Sequence, residues 1–179
     1  MTSIRTAACV AFALAVLMPN LASAEVVERG PDHFVLRHSI LLAGSGERAW
    51  RAVGDVERWW DGAHTYSGDA ANMSIQLERG GCFCEANVNG DVFEHGRVVE
   101  ADPGTGVRLN APLGPLKGKA TQADLSIGWS GADRDPELVM SYVVRGPGLG
   151  VFADGVDGVM TIQFDRLARF IQHGEPPAD

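Results

Sequence analysis

Apolar and polar positions alternate from His33 to Ala43: Phe34, Leu36, His38, Ile40 and Leu42 share one face, with Arg37 and Ser39 on the other. A period of two marks a half-buried strand. Gly44-Ser45-Gly46 ends it, and Ser45 is placed to cap a short helix through Glu47, Trp50 and Val53. Asp55 is placed to cap a second short turn carrying Val56, Trp59 and Trp60, before a polar loop from Asp61 to Ala71. Alternation then returns in Met73, Ile75 and Leu77, with a turn at Gly80-Gly81. Cys82 to Val88 is the next strand, Asn89-Gly90-Asp91 a hairpin signal, and Val92 to Ala101 the return. A short strand from Val107 to Ala111 and two longer ones follow, with Leu125, Ile127 and Trp129 on one face, then Leu138, Met140, Tyr142 and Val144. Strands joined by tight turns predict an antiparallel meander.

The period changes after Gly146-Pro147-Gly148. Phe152, Val156, Val159, Met160, Gln163, Leu167 and Phe170 recur at three- and four-residue spacing, which predicts an amphipathic helix ending near His173-Gly174. Gly155 and Gly158 inside it each cost about 1 kcal/mol relative to Ala. Close packing of helix on sheet is the commoner reason for such glycines; backbone room for a ligand is the other. The fold class is therefore α+β.

The first residues do not belong to this pattern. Met1 to Arg5 carry one positive charge, Ala7 to Met18 are unbroken apolar, and Ala22-Ser23-Ala24 offers the small residues of a signal-peptidase site. That is a secretory leader, too short in its apolar core to span a bilayer. Residues 1–24 are expected to be removed, leaving 25–179 as one domain, secreted or periplasmic, with no stable membrane insertion after cleavage. Removal takes one arginine and no acid from a chain of net charge −8. An acidic protein with no basic cluster disfavours nucleic acid as a partner.

The order of a strand, two short helices, a run of antiparallel strands and one long terminal helix resembles the helix-grip fold of the START-like, or SRPBCC, superfamily. In detail it is similar to the polyketide cyclase and heat-shock-ATPase-activator-like branch. The matching residues are Ala49-Trp50 and Trp59-Trp60, Gly80-Gly81, and His95 to Glu100 followed by Asp102-Pro103 and Val107-Arg108-Leu109. The resemblance implies a curved sheet wrapped around the C-terminal helix with a hydrophobic cavity between them. Its functional range runs from carriers to cyclases to chaperone activators.

One helix covers only part of a long curved sheet, so uncovered apolar surface becomes either a solid core or a cavity. The side chains proposed to line a ligand site are Trp50, Trp59, Trp60, Trp129, Tyr142, Phe152 and Met160, with His38, His64 and His95 as its polar groups. Each histidine also has a plainer reading: His38 as a hydrogen-bonded core residue, His95 as a half-exposed surface residue, and His64 as part of a solvated loop. Glu85 fits neither face clearly. Zinc-type spacings such as C-x-x-C and H-E-x-x-H are absent, so no metal or other cofactor is expected. No nucleophile motif is present either. Extended geometry puts the Cα atoms of Cys82 and Cys84 at the far edge of the disulfide range or beyond, so reduced, buried cysteines are the commoner outcome and a strained disulfide is the alternative. The function this supports is an exported binding protein for a small apolar or amphipathic ligand. The alternatives are a cyclase- or hydratase-like enzyme using cavity histidines, or an envelope protein-interaction module.

Overall fold

The computed structural model describes residues 23–87, 89–130 and 136–175. The expected leader lies outside these residues up to position 22, as do Val88 and the last four residues of the tail. An eight-stranded antiparallel sheet forms from β1 (Ser23–Gly30), β2 (His33–Leu41), β3 (Met73–Ile75), β4 (Cys82–Ala86), β5 (Val92–Asp102), β6 (Gly106–Asn110), β7 (Gln122–Ser130) and β8 (Glu137–Arg145), in the spatial order β1-β2-β8-β7-β6-β5-β4-β3. Helix α1 (Gly46–Gly54) and three 3-10 turns, at Val56–Arg58, Gly62–His64 and Ala70–Asn72, follow β2, and helix α2 (Ala153–His173) is the last element among the described residues. Ser45 stands at the N-cap position of α1 and Asp55 at that of the Val56–Arg58 turn, but neither side chain makes a capping hydrogen bond.

The alternating strands behave as their pattern requires. In β7 and β8 buried and half-buried positions alternate, with Leu125, Ile127 and Trp129 facing inward opposite Tyr142, Met140 and Leu138. Burying each such side chain contributes about 1.5–3 kcal/mol. Phe34 and Leu36 of β2 join this core, and Phe164 and Leu167 of α2 close it from above. Helix α2 lies against β1, β2 and α1, towards one end of the sheet. The turn into α2 is fixed by Gly150, where a Cβ would collide with the Gly30 carbonyl, so the chain passes directly over the β1–β2 turn.

Two features depart from the sequence reading. The sheet begins one strand earlier than the alternation indicates, because β1 carries a bulge between Val26 and Glu28 that breaks the period of two. Cys82 and Cys84 are joined in a disulfide, not reduced. Their Cα atoms are 5.4 Å apart, inside the usual disulfide range, because the β4–β5 ladder is irregular between Phe83 and Cys84 and β4 is not fully extended there.

Candidate functional site

The same irregularity builds the site. Gly96 of β5 pairs with Phe83 and Glu94 pairs with Cys84, so His95 is an extra residue without a partner in β4. A bulge re-aims its side chain. His95 is turned inward to 7% exposure, against the surface placement that strict alternation gives it. Its ring lies 5.2 Å from Phe83 and stacks on Tyr66 at 5.2 Å.

Glu85, fully buried on β4, faces His95 with Oε2 2.8 Å from Nε2. Its two oxygens also accept the backbone N–H groups of Tyr66, at 2.9 Å, and Ser67. Burial alone would push the Glu85 carboxyl upward. The amide bonds of Tyr66 and Ser67 and the His95 ring together outweigh it and hold the group below its ordinary value. An ionised carboxylate accepts from His95 Nε2–H, which leaves Nδ1 without a protein partner among the described residues.

His64 differs from His95, in that one ring nitrogen faces both an acceptor and a donor. Its Nδ1 lies 3.1 Å from Asp61 Oδ2 and 3.2 Å from Gln163 Nε2. Gln163, buried on α2, accepts the Asp61 N–H through Oε1 at 2.9 Å, which fixes the amide orientation. Trp60 Nε1 donates to the His64 carbonyl at 3.2 Å. The Gly62 to Ser67 loop is thus tied to α2 by Gln163 and to the sheet by Glu85, and forms a wall rather than a free solvated segment.

These walls enclose a pocket of about 500 Å³, within the range of small-molecule sites. Its sheet-side and loop wall is Trp60, His64, Thr65, Tyr66 and His95; across from it lie Leu113, Gly114 and Pro115; the helix side is Val151, Phe152, Gly155, Val156, Val159 and Met160. Of the ten residues proposed from the sequence, Trp60, His64, His95, Phe152 and Met160 line this one void.

The other five candidates do not line this pocket. Trp50, on α1, packs edge-on against Trp129 of β7 with ring centroids 6.3 Å apart. Trp59 is buried and donates from Nε1 to the Ala52 carbonyl at 2.8 Å. Tyr142 donates to the Ala111 carbonyl at 2.5 Å and accepts from Leu113 N–H at 3.2 Å, and burial pushes its phenol up. Its role is to anchor the loop that carries Leu113 and Pro115. Tyr142→Phe removes both of these bonds but leaves Leu113 N–H donating to the Ala111 carbonyl at 2.9 Å, and is expected to cost about 1 kcal/mol in chemical denaturation.

His38 is buried under α2, its ring centroid 5.7 Å from that of Phe164. Its Nε2 lies 3.3 Å from Asp157 Oδ1, but neither ring nitrogen makes a hydrogen bond. It is a core histidine, as the plainer reading held, but not a hydrogen-bonded one.

Outside the proposed site residues are Thr65, Tyr66, Leu113, Gly114, Pro115, Val151, Gly155, Val156 and Val159, which line the pocket, and Gln163, which meets His64. Gln163 carried a signal, being polar in the apolar stripe of α2. Gly155 faces the pocket, and a Cβ there or at Gly158 would meet nothing within 4 Å. Neither glycine exists for close packing on the sheet. Gly155→Ala and Gly158→Ala are each expected to raise stability by about 1 kcal/mol, read from the shift in thermal midpoint.

No family model matches the chain, and no curated protein matches it. Solved structures do. A conserved protein of unknown function from Enterococcus faecalis, EF2215, superposes with a TM-score of 0.60 at 10% identity, over 87% of this chain and 80% of that one. CalU16 from Micromonospora echinospora gives 0.52 at 15% identity over 89% and 88%. The Aha1 dimer from Colwellia psychrerythraea gives 0.56 at 14% over 78% and 97%. At such identities the likeness is one of fold. The architecture is a helix-grip fold: a curved antiparallel sheet with a long C-terminal helix across it.

Proposed function

We propose that the protein is an exported binding protein for a small apolar or amphipathic molecule held between α2 and the sheet. The observation that carries this reading is the pocket itself, whose wall is mostly apolar and whose few polar groups are already held by neighbours. Export rests on the leader-like first residues. The fold-level likeness to CalU16 and Aha1 supports the helix-grip reading and is compatible with the cyclase- and activator-like branch that the sequence resembles. Tyr66, 51% exposed, and Val151, 81% exposed, both belong to the pocket wall and give its mouth an apolar lip.

Gly155→Trp tests the reading, because the open space over Gly155 is where an indole would sit. The variant is expected to weaken binding of N-phenylnaphthylamine, a fluorescent apolar probe, at least tenfold, while Gly158→Ala leaves it unchanged. Equal probe binding by both variants would place the ligand elsewhere and sink the proposal.

A second reading is favoured by the two histidines. Each has one ring nitrogen beside a carboxylate, Asp61 for His64 and Glu85 for His95, and both rings line the same void. A carboxylate that orients a histidine leaves its other nitrogen to give or take a proton, the arrangement of general acid–base chemistry in a cyclase- or hydratase-like enzyme. Incubation with an apolar methyl ketone in D2O reads this directly. Deuterium uptake above the buffer rate, abolished by His95→Asn, supports it; uptake at the buffer rate removes it.

A further inference from the structure

We infer that the molecule held in the pocket is an amphiphile with an anionic head, bound tail inward with its head at Lys117 and Lys119. This rests on the pocket being a binding site and names the chemistry of its occupant.

The chain has a net charge of −8, and its only lysines are Lys117 and Lys119. Both follow directly from the loop Leu113, Gly114 and Pro115 that forms one pocket wall. The Lys119 ammonium sits 5.1 Å from the ring centroid of Phe152, a residue of the opposite wall. Lys117 Nζ donates to the carbonyl of Glu94 at 2.8 Å, one residue before His95. Neither lysine is itself a lining residue, but Lys119 lies over the face of the wall residue Phe152 and Lys117 is held to the carbonyl of the residue before His95.

Neither lysine has a carboxylate within ion-pair distance among the described residues. By contrast Arg29, Arg37, Arg51, Arg58, Arg97 and Arg108 each do. Six of the eleven described arginines are matched in this way by a neighbouring acid. At the two lysines positive charge is left for another anion.

The interior fixes the orientation. Behind His95 stands the buried Glu85 carboxylate, and beside His64 stands Asp61. An anionic head pushed towards the histidines would meet these negative groups in a site of low dielectric, where like charges repel strongly. The tail meets Phe152, Val156, Val159 and Met160 instead. Charge at the exposed lysines and hydrocarbon against α2 is the one arrangement in which both halves of such a ligand find complementary surroundings.

Displacement of bound N-phenylnaphthylamine from the leaderless chain tests this, using decanoate, decanol and methyl decanoate as competitors. Decanoate is expected to displace the probe at about tenfold lower concentration than either neutral compound, equal to about 1.4 kcal/mol. That advantage should vanish in the double variant K117Q/K119Q, persist in K117R/K119R, and shrink in molar salt, with decanol unchanged throughout. Both lysines are exposed, so their replacement leaves the core intact. Equal potency of decanoate and decanol on the unmodified protein overturns the inference while leaving the pocket reading in place. So does an advantage that survives K117Q/K119Q. If none of the three displaces the probe, the binding reading fails and the inference falls with it.

Discussion

Glu85→Gln is expected to destabilise the protein by about 3–5 kcal/mol, the largest effect of any single conservative change at the site. Three donors converge on this buried carboxylate: Tyr66 N–H and His95 Nε2 on Oε2, and Ser67 N–H on Oε1. A glutamine of the same shape offers one oxygen and brings its NH2 against a donor on the other side. One buried polar group is then left unpaired, and the loop from Gly62 to Ser67 loses half of its tether. The charge state gives a second readout. The folded carboxyl is held below its ordinary value of 4.5, so the unfolded chain takes up a proton first as pH falls. The stabilisation from Glu85 is therefore complete above the ordinary value and lost as pH drops through the folded one. Denaturant titrations across the acid range should show a slope in the unmodified protein that is reduced in Glu85→Gln. A variant that unfolds at the same denaturant concentration as the parent, with the same acid slope, would show that the carboxylate anchors nothing.

His38→Leu is expected to change the pH dependence of stability in the opposite region. Burial beneath α2 lowers the His38 pKa, and the nearby Asp157 and Asp165 offset this only in part. The folded protein thus keeps the ring neutral where the unfolded chain, with an ordinary value of 6.5, already binds a proton. Stability should fall as pH drops below that value, by at most about 1.4 kcal/mol per unit. The decline stops once the folded histidine is itself protonated. Leucine removes both the titration and two buried ring nitrogens that have no hydrogen bond. The variant should match or exceed the parent at neutral pH and gain on it steadily towards pH 5. Thermal midpoints measured at several pH values check this; parallel curves for the two proteins would show that His38 does not titrate with folding.

The central sheet was legible in the sequence because β2, β7 and β8 bury every second side chain and present the other to a less buried face. Periodicity also located α2, since its apolar stripe runs unbroken from Val156 to Phe170 apart from Gln163. What could not be read was anything depending on a broken period. The bulge at Val27 hid β1, and the one at His95 turned a surface assignment into a pocket residue. Aromatic composition could not separate Trp60, which faces the void, from Trp59, which spends its N–H on Ala52 next door. Two adjacent tryptophans differ only by the 3-10 turn before them, and no one-dimensional pattern records that rotation. Glu85 was ambiguous for the same reason: its partners lie on a loop some twenty positions away and on the bulged strand.

The place of β1 at the margin of the sheet has a consequence for how the molecule keeps to itself. β2 is nine residues long, unbroken and flanked on its far side by β8. Without β1 its remaining N–H and C=O groups would form a straight, unoccupied template suited to capturing another copy. The bulged ribbon from Ser23 to Gly30 occupies that template, and its irregular ladder makes a poorer template in turn. Any processing that trimmed the chain as far as Pro31 would therefore leave the pocket's own residues in place but turn a self-contained sheet into one prone to polymerise through its border.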